Sequence, residues 1–149
     1  MSNIVKQAAG IALASTLVFG VASQANAELL THKDLSLAIA TQIAVTAVEA
    51  CKANGYAVSV HVLGREGQTI VAMRNESAGL ATFENSMKKA YTAKAQRRPS
   101  GEFAASLKDN LTPGALRLTN IVPAQGALPI KVGEDTIGAI GAAIRSRRN

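Results

Sequence analysis

The sequence predicts one α/β domain, an antiparallel sheet covered by helices. Three observations carry this reading. Apolar residues recur at helical spacing from Leu35 to Cys51 and stop at Asn54-Gly55. Two strand-like runs, residues 56–63 and 68–74, then flank a glycine turn. After a second helical region the chain closes on two further strand-like runs joined at Gly133.

Taken in order, Thr31-His32-Lys33-Asp34 has the form of a helix N-cap, with an acidic residue three positions after Thr31. Leu35, Ile39, Ile43, Ala47, Ala50 and Cys51 follow at spacings of three and four, the period of one buried stripe. Gly55 is placed for a left-handed cap. In residues 56–63, Val58, Val60 and Val62 point to one face of a strand, and Ser59, His61 and Leu63 to the other. Gly64-Arg65-Glu66-Gly67 turns the chain, and residues 68–74 return as the second strand of a hairpin. Residues 82–96 regain helical character, with Phe83, Met87, Ala90, Tyr91 and Lys94 along one side. Arg97-Arg98-Pro99-Ser100 interrupts that helix, and Ser100 is expected to cap a short helix running through Lys108. Strands are then expected over residues 118–122, 128–132 and 136–144, the last two joined by Gly133-Glu134-Asp135. The chain has no internal repeat and no long linker.

The N-terminal stretch predicts export. Lys6 precedes an apolar run over residues 8–21, and Ala25-Asn26-Ala27 supplies a small-x-small cleavage site before Glu28. The run falls short of the roughly 20 residues a membrane span needs, so no stable membrane anchor is expected. Residues 1–27 therefore read as a signal peptide and residues 28–149 as the domain, periplasmic or secreted. A domain of that size can bury a core without disulfides. Cys51 is the single cysteine, so no intrachain disulfide can form. Its place in an alanine-rich helix suits a small packing residue.

The formal charge is +6, and losing Lys6 with the signal leaves +5. Arg145, Arg147 and Arg148 supply three of those charges, so the rest of the domain is near neutral. With no tryptophan and few other aromatics, nucleic acid is not an expected partner. Two histidines, His32 and His61, stand beside one cysteine without the spacing of a zinc site. No Walker loop or nucleophile elbow is present, and no catalytic residue is assigned. His61 lies in an otherwise apolar strand, where a neutral imidazole either ligates a metal or packs with a hydrogen-bond partner. His32 lies near a helix start. Lys88, Lys89, Lys94, Arg97 and Arg98 form a basic group able to hold propionates or phosphates, or simply to face solvent.

Several stretches resemble the GlcG/HbpS family of haem-binding proteins. Residues 30–35, Leu-Thr-His-Lys-Asp-Leu, resemble its opening, and Asn54-Gly55-Tyr56-Ala57-Val58 its entry to the first strand. Gly67-Gln68 through Met73-Arg74 is similar to its hairpin, Lys89-Ala90-Tyr91-Thr92-Ala93 to its helix, and Arg98-Pro99-Ser100 to the segment after that helix. Leu128-Pro129-Ile130 and Ile137-Gly138-Ala139-Ile140-Gly141 are similar to its ending. The ordered set spans nearly all of residues 30–141. Two departures stand out. Gly64 replaces an aspartate usual in the family, and Ala142 to Asn149 stand where a glycine-rich loop and final helix are usual, so a divergent or shortened C-terminus and an uncovered apolar sheet face are expected.

The resemblance implies a profilin-like domain that forms homo-oligomers and binds haem or a related tetrapyrrole, in haem or iron handling or redox sensing. It makes His61 and His32 candidate axial ligands, with Tyr91 and Met87 as further candidates and the basic group near the propionates. The alternative is an enzyme or enzyme accessory in the catabolism of a small organic acid. A purely structural assembly module is the third reading.

Overall fold

The computed structural model describes residues 29–108 and 113–144. The expected signal peptide and the C-terminal arginines lie outside the described residues. Two compact units divide the chain at Thr31, and everything below concerns the unit beginning at His32. No helix among the described residues is long and apolar enough to cross a membrane.

The elements are α1 (Leu37–Ala53), β1 (Val58–Leu63), β2 (Thr69–Arg74), α2 (Leu80–Gln96), α3 (Ser100–Ser106), the single turn α4 (Pro113–Leu116), β3 (Ala127–Val132) and β4 (Asp135–Ile144). The four strands form one sheet in the order β2-β1-β4-β3, and every neighbouring pair is antiparallel. The predicted fold class is therefore observed. β1 lies between two strands and under helices on both faces, which is why all six of its residues are buried.

The alternation of β1 divides the core. Val58, Val60 and Val62 meet Ala40 and Ala44 of α1, joined by Ile43, Ala47, Val48 and Cys51. Each fully buried valine is worth about 2 kcal/mol relative to exposure. Small alanines on the helix let its axis approach these branched side chains closely. Cys51 is half-buried against this cluster, the packing role expected of it. The buried stripe is turned by one residue from the expected one, leaving Ile39 51% exposed and Ala50 outside the core.

The α1 start also differs. Ser36, not Thr31, is the N-cap, its Oγ accepting from the Ile39 N–H at 3.3 Å. The cause is Arg65, whose guanidinium donates to the Lys33 carbonyl at 3.2 and 2.7 Å and lies 3.4 Å from Asp34. Residues 33–34 are thus tied to the β1–β2 turn and cannot open a helix. The same guanidinium donates to both oxygens of Asp135 at 3.1 and 2.6 Å, and that hydrogen bond holds the Asp135 carboxyl below its usual range.

α2 packs on the other sheet face with its small residues. Thr82, Ser86, Ala90 and Ala93 are buried, whereas Phe83, on the side traced from the sequence with Ala90, is 40% exposed. Close approach requires Gly141, because a Cβ there would fall 2.2 Å from the Ser86 carbonyl oxygen and 2.6 Å from the Ala90 nitrogen.

Two further expectations are corrected. Ser100 is the first residue of α3 rather than its cap; Pro99 holds the cap position, and the Ser100 hydroxyl instead accepts from the Ala127 N–H at 3.0 Å. Residues 118–122 form turns, not a strand. Thr92 Oγ1 accepts from the Val122 N–H at 2.9 Å, its own proton going to the Lys88 carbonyl at 2.8 Å. Ile121 is thereby fixed against Phe103 and Leu107.

Candidate functional site

The β3–β4 edge carries a pocket of about 490 Å³, within the roughly 300–1,000 Å³ typical of small-molecule sites. Its wall is mainly apolar, built from Leu128, Ile140, Ala142 and Pro99 with Gln125 and Gly126 at one end. The topology explains why it exists. α1 packs chiefly on β1 and β2, so the same sheet face is left open over β3, where Leu128 is 57% exposed and Val132 42%. The register pairs Leu128 with Ile140, placing their side chains together on that face. The Ser100–Ala127 hydrogen bond fixes α3 beside the strand and so sets the position of Pro99.

Gly126 shapes the end of the pocket. Its φ of 121° belongs to the region that favours glycine, and its carbonyl accepts from the Ala142 N–H at 2.8 Å. Behind it stands Lys89. A Cβ on Gly126 would lie 3.2 Å from Lys89 Nζ, and Nζ donates a long 3.5 Å bond to the Ala142 carbonyl. Burial holds the Lys89 ammonium below its ordinary pKa.

The rest of the basic group disperses. Lys88 pairs with Glu84 at 2.7 Å, which lowers the Glu84 carboxyl pKa. Arg98 donates to Ser106 Oγ at 3.0 Å and lies 5.5 Å over the Phe103 ring. Arg97 closes α2 in a left-handed conformation.

The four candidate ligands occupy separate places. His61 is 4% exposed and faces α2. Its Nδ1 lies 2.8 Å from Ser86 Oγ, and the Phe83 ring meets the imidazole edge-on at 4.5 Å. Ser86 commits its single proton to the Phe83 carbonyl at 2.8 Å, so Nδ1 carries the hydrogen and the lone pair is on Nε2. Desolvation lowers the His61 pKa and favours the neutral ring. That is the chemistry of a metal ligand held by a second partner, but His61 pairs in register with Gly141, one position from Ala142 and on the opposite sheet face.

Met87 is half-buried on α2, between Phe83 and Tyr91 along the helix. Tyr91 packs on the Phe103 cluster and lines a separate cleft of about 170 Å³ with Arg65 and Lys94. His32 is exposed and lies 3.0 Å from Asp34. No group of three or more potential metal ligands exists among the described residues. The pocket residues Leu128, Ile140 and Ala142 lay within the predicted strands. Their convergence depends on β4–β3 pairing and on α3, and no local pattern reports it.

The class the fold defines is an α/β domain, a four-stranded antiparallel sheet between helices with an apolar edge pocket of small-molecule size and Lys89 beside it. The chain belongs to the HbpS-like family, described as haem degrading protein HbpS-like, which matches residues 35–144. A crystal structure of HbpS is similar at a TM-score of 0.74 and 32% identity, over 78% of this chain and 82% of that one. HbpS of Streptomyces reticuli, solved with two glutamates replaced by aspartates, gives 0.73 and 29%, over 93% and 86%. PduOC, solved as a complex with haem, shares the fold at 0.69 and 23%, over 75% and 83%. No curated protein matches the sequence.

Proposed function

We propose that the chain is an exported protein that binds haem or a related tetrapyrrole, in haem or iron handling or redox sensing, and that the edge pocket holds the ligand. The observation that carries this reading is an apolar cavity of about 490 Å³ in a chain of the HbpS-like family. Leu128, Ile140 and Ala142 suit the flat apolar face of a macrocycle, and Lys89 suits an acidic substituent. The wall supplies no iron ligand. His61 has the right chemistry for iron but faces α2, where the Phe83 ring meets it edge-on. The family and the neighbour in complex with haem support the ligand class, and the sequence of residues 1–27 supports export to the periplasm or beyond. Exposed Leu37 and Ile39 on α1 offer surface for assembly as a homo-oligomer.

A haemin titration of the purified protein followed at the Soret band tests the reading. The expected result is a saturable, stoichiometric, red-shifted band. A weak change that does not saturate rejects it. N-terminal sequencing of protein from the periplasm or medium is expected to begin at Glu28; an intact Met1 in the cytoplasm rejects export.

A further inference from the structure

We propose that Lys89, whose Nζ lies 3.5 Å from the carbonyl of the pocket-lining Ala142, is a carboxylate-binding subsite, so that the pocket selects an apolar ligand carrying a carboxylate. This rests on the proposed function for the identity of the apolar body and adds the chemistry of its acidic end. Three observations converge. An ammonium has three donors, and the hydrogen bond Lys89 makes is the 3.5 Å contact with the Ala142 carbonyl. No carboxylate pairs with Lys89 among the described residues. A half-buried cation without an ion-pair partner gains from a ligand anion.

Gly126 and Ala142 both line the pocket, and the ammonium lies directly behind them. Any side chain on Gly126 would crowd Nζ at 3.2 Å and the Ala142 carbonyl at 2.7 Å, so glycine lets Nζ approach this end of the pocket. The charge number also discriminates. A single amine is available, while the Ala127 and Ala142 N–H groups are already bonded to Ser100 and Gly126. One ammonium matches the single charge of one carboxylate.

The test compares acid and neutral forms of two probes on the wild type and Lys89→Met, which keeps the aliphatic stem. The probes are haemin against haemin dimethyl ester by absorbance, and decanoate against decanol by calorimetry. The wild type is expected to prefer the acid of a pair by about tenfold, the scale of one charge-assisted hydrogen bond. Lys89→Met should bind both members alike while melting no lower than the wild type. Lys89→Arg should retain part of the preference. Decanoate should also raise the Lys89 pKa read from its side-chain NMR shift. Selectivity in the decanoate pair alone upholds the subsite and rejects the tetrapyrrole reading. Preference that survives Lys89→Met, or a wild type that prefers neither acid, overturns the subsite.

Discussion

The two faces of β1 are built on different chemistry. Toward α1, three valines meet alanines and close an apolar core. Toward α2, Ser59 and His61 meet Thr82 and Ser86, each pair 2.8 Å apart. The α2 hydroxyls share one device. Thr82 donates to the Gly79 carbonyl, Ser86 to that of Phe83 and Thr92 to that of Lys88, and each accepts from outside the helix, from Ser59, His61 and the Val122 N–H. One face thus relies on volume and the other on donor-acceptor matching at very short helix–sheet separation. The first tolerates changes of shape within its volume. The second tolerates neither added volume nor a lost partner.

The sharpest way to break the contrast is Gly141→Val. The new side chain would meet backbone atoms of α2, which cannot swing aside. A loss of about 3 kcal/mol or more is expected in urea unfolding; a loss under about 1 kcal/mol would mean α2 can lift freely. On the opposite face, Val60→Ala should cost about 2 kcal/mol through the cavity it leaves. Ser86→Ala removes fewer atoms yet should cost about 1.5 kcal/mol, because it orphans the buried His61 N–H. Adding His61→Phe to Ser86→Ala should cost less than the two changes summed; strict additivity would dissolve the proposed pairing.

The smallest effect is the pH dependence. Burial lowers the His61 pKa from 6.5, so the unfolded chain binds the proton more readily than the fold. This contribution is complete above about pH 6.5 and is lost as pH falls from there toward the folded pKa. The urea midpoint of the wild type should drop across that window, and His61→Phe should flatten the drop. An equal drop in both would assign the acid sensitivity elsewhere.

The same contrast explains how much the sequence disclosed. The hairpin, the closing strands and α1 announced themselves because their apolar residues follow the period of their elements. Gly55 and Gly133 marked ends at positive φ. α2 was legible as a helix but not fully in its orientation, since Phe83 and Met87 outweigh Thr82 and Ser86 in any apolar pattern while close packing selects the smaller residues, Ala90 among them. Residues 118–122 mimic a strand in composition, yet Thr92, 30 residues away, meets their backbone needs. His61 drew notice as a histidine in an otherwise apolar strand. The pocket did not, because Pro99, Gly126, Leu128 and Ala142 become neighbours only through pairing and helix placement.

Placement of the ligand at the sheet edge, rather than against α2, is tested most directly by parallel haemin titrations of Leu128→Glu and His61→Ala. Leu128 is exposed enough to change without disturbing the core. Leu128→Glu is expected to weaken binding at least tenfold, and His61→Ala to leave both affinity and Soret maximum as in the wild type. Full binding by Leu128→Glu, with a shifted or lost Soret band in His61→Ala, would contradict the account and move the site beneath Phe83.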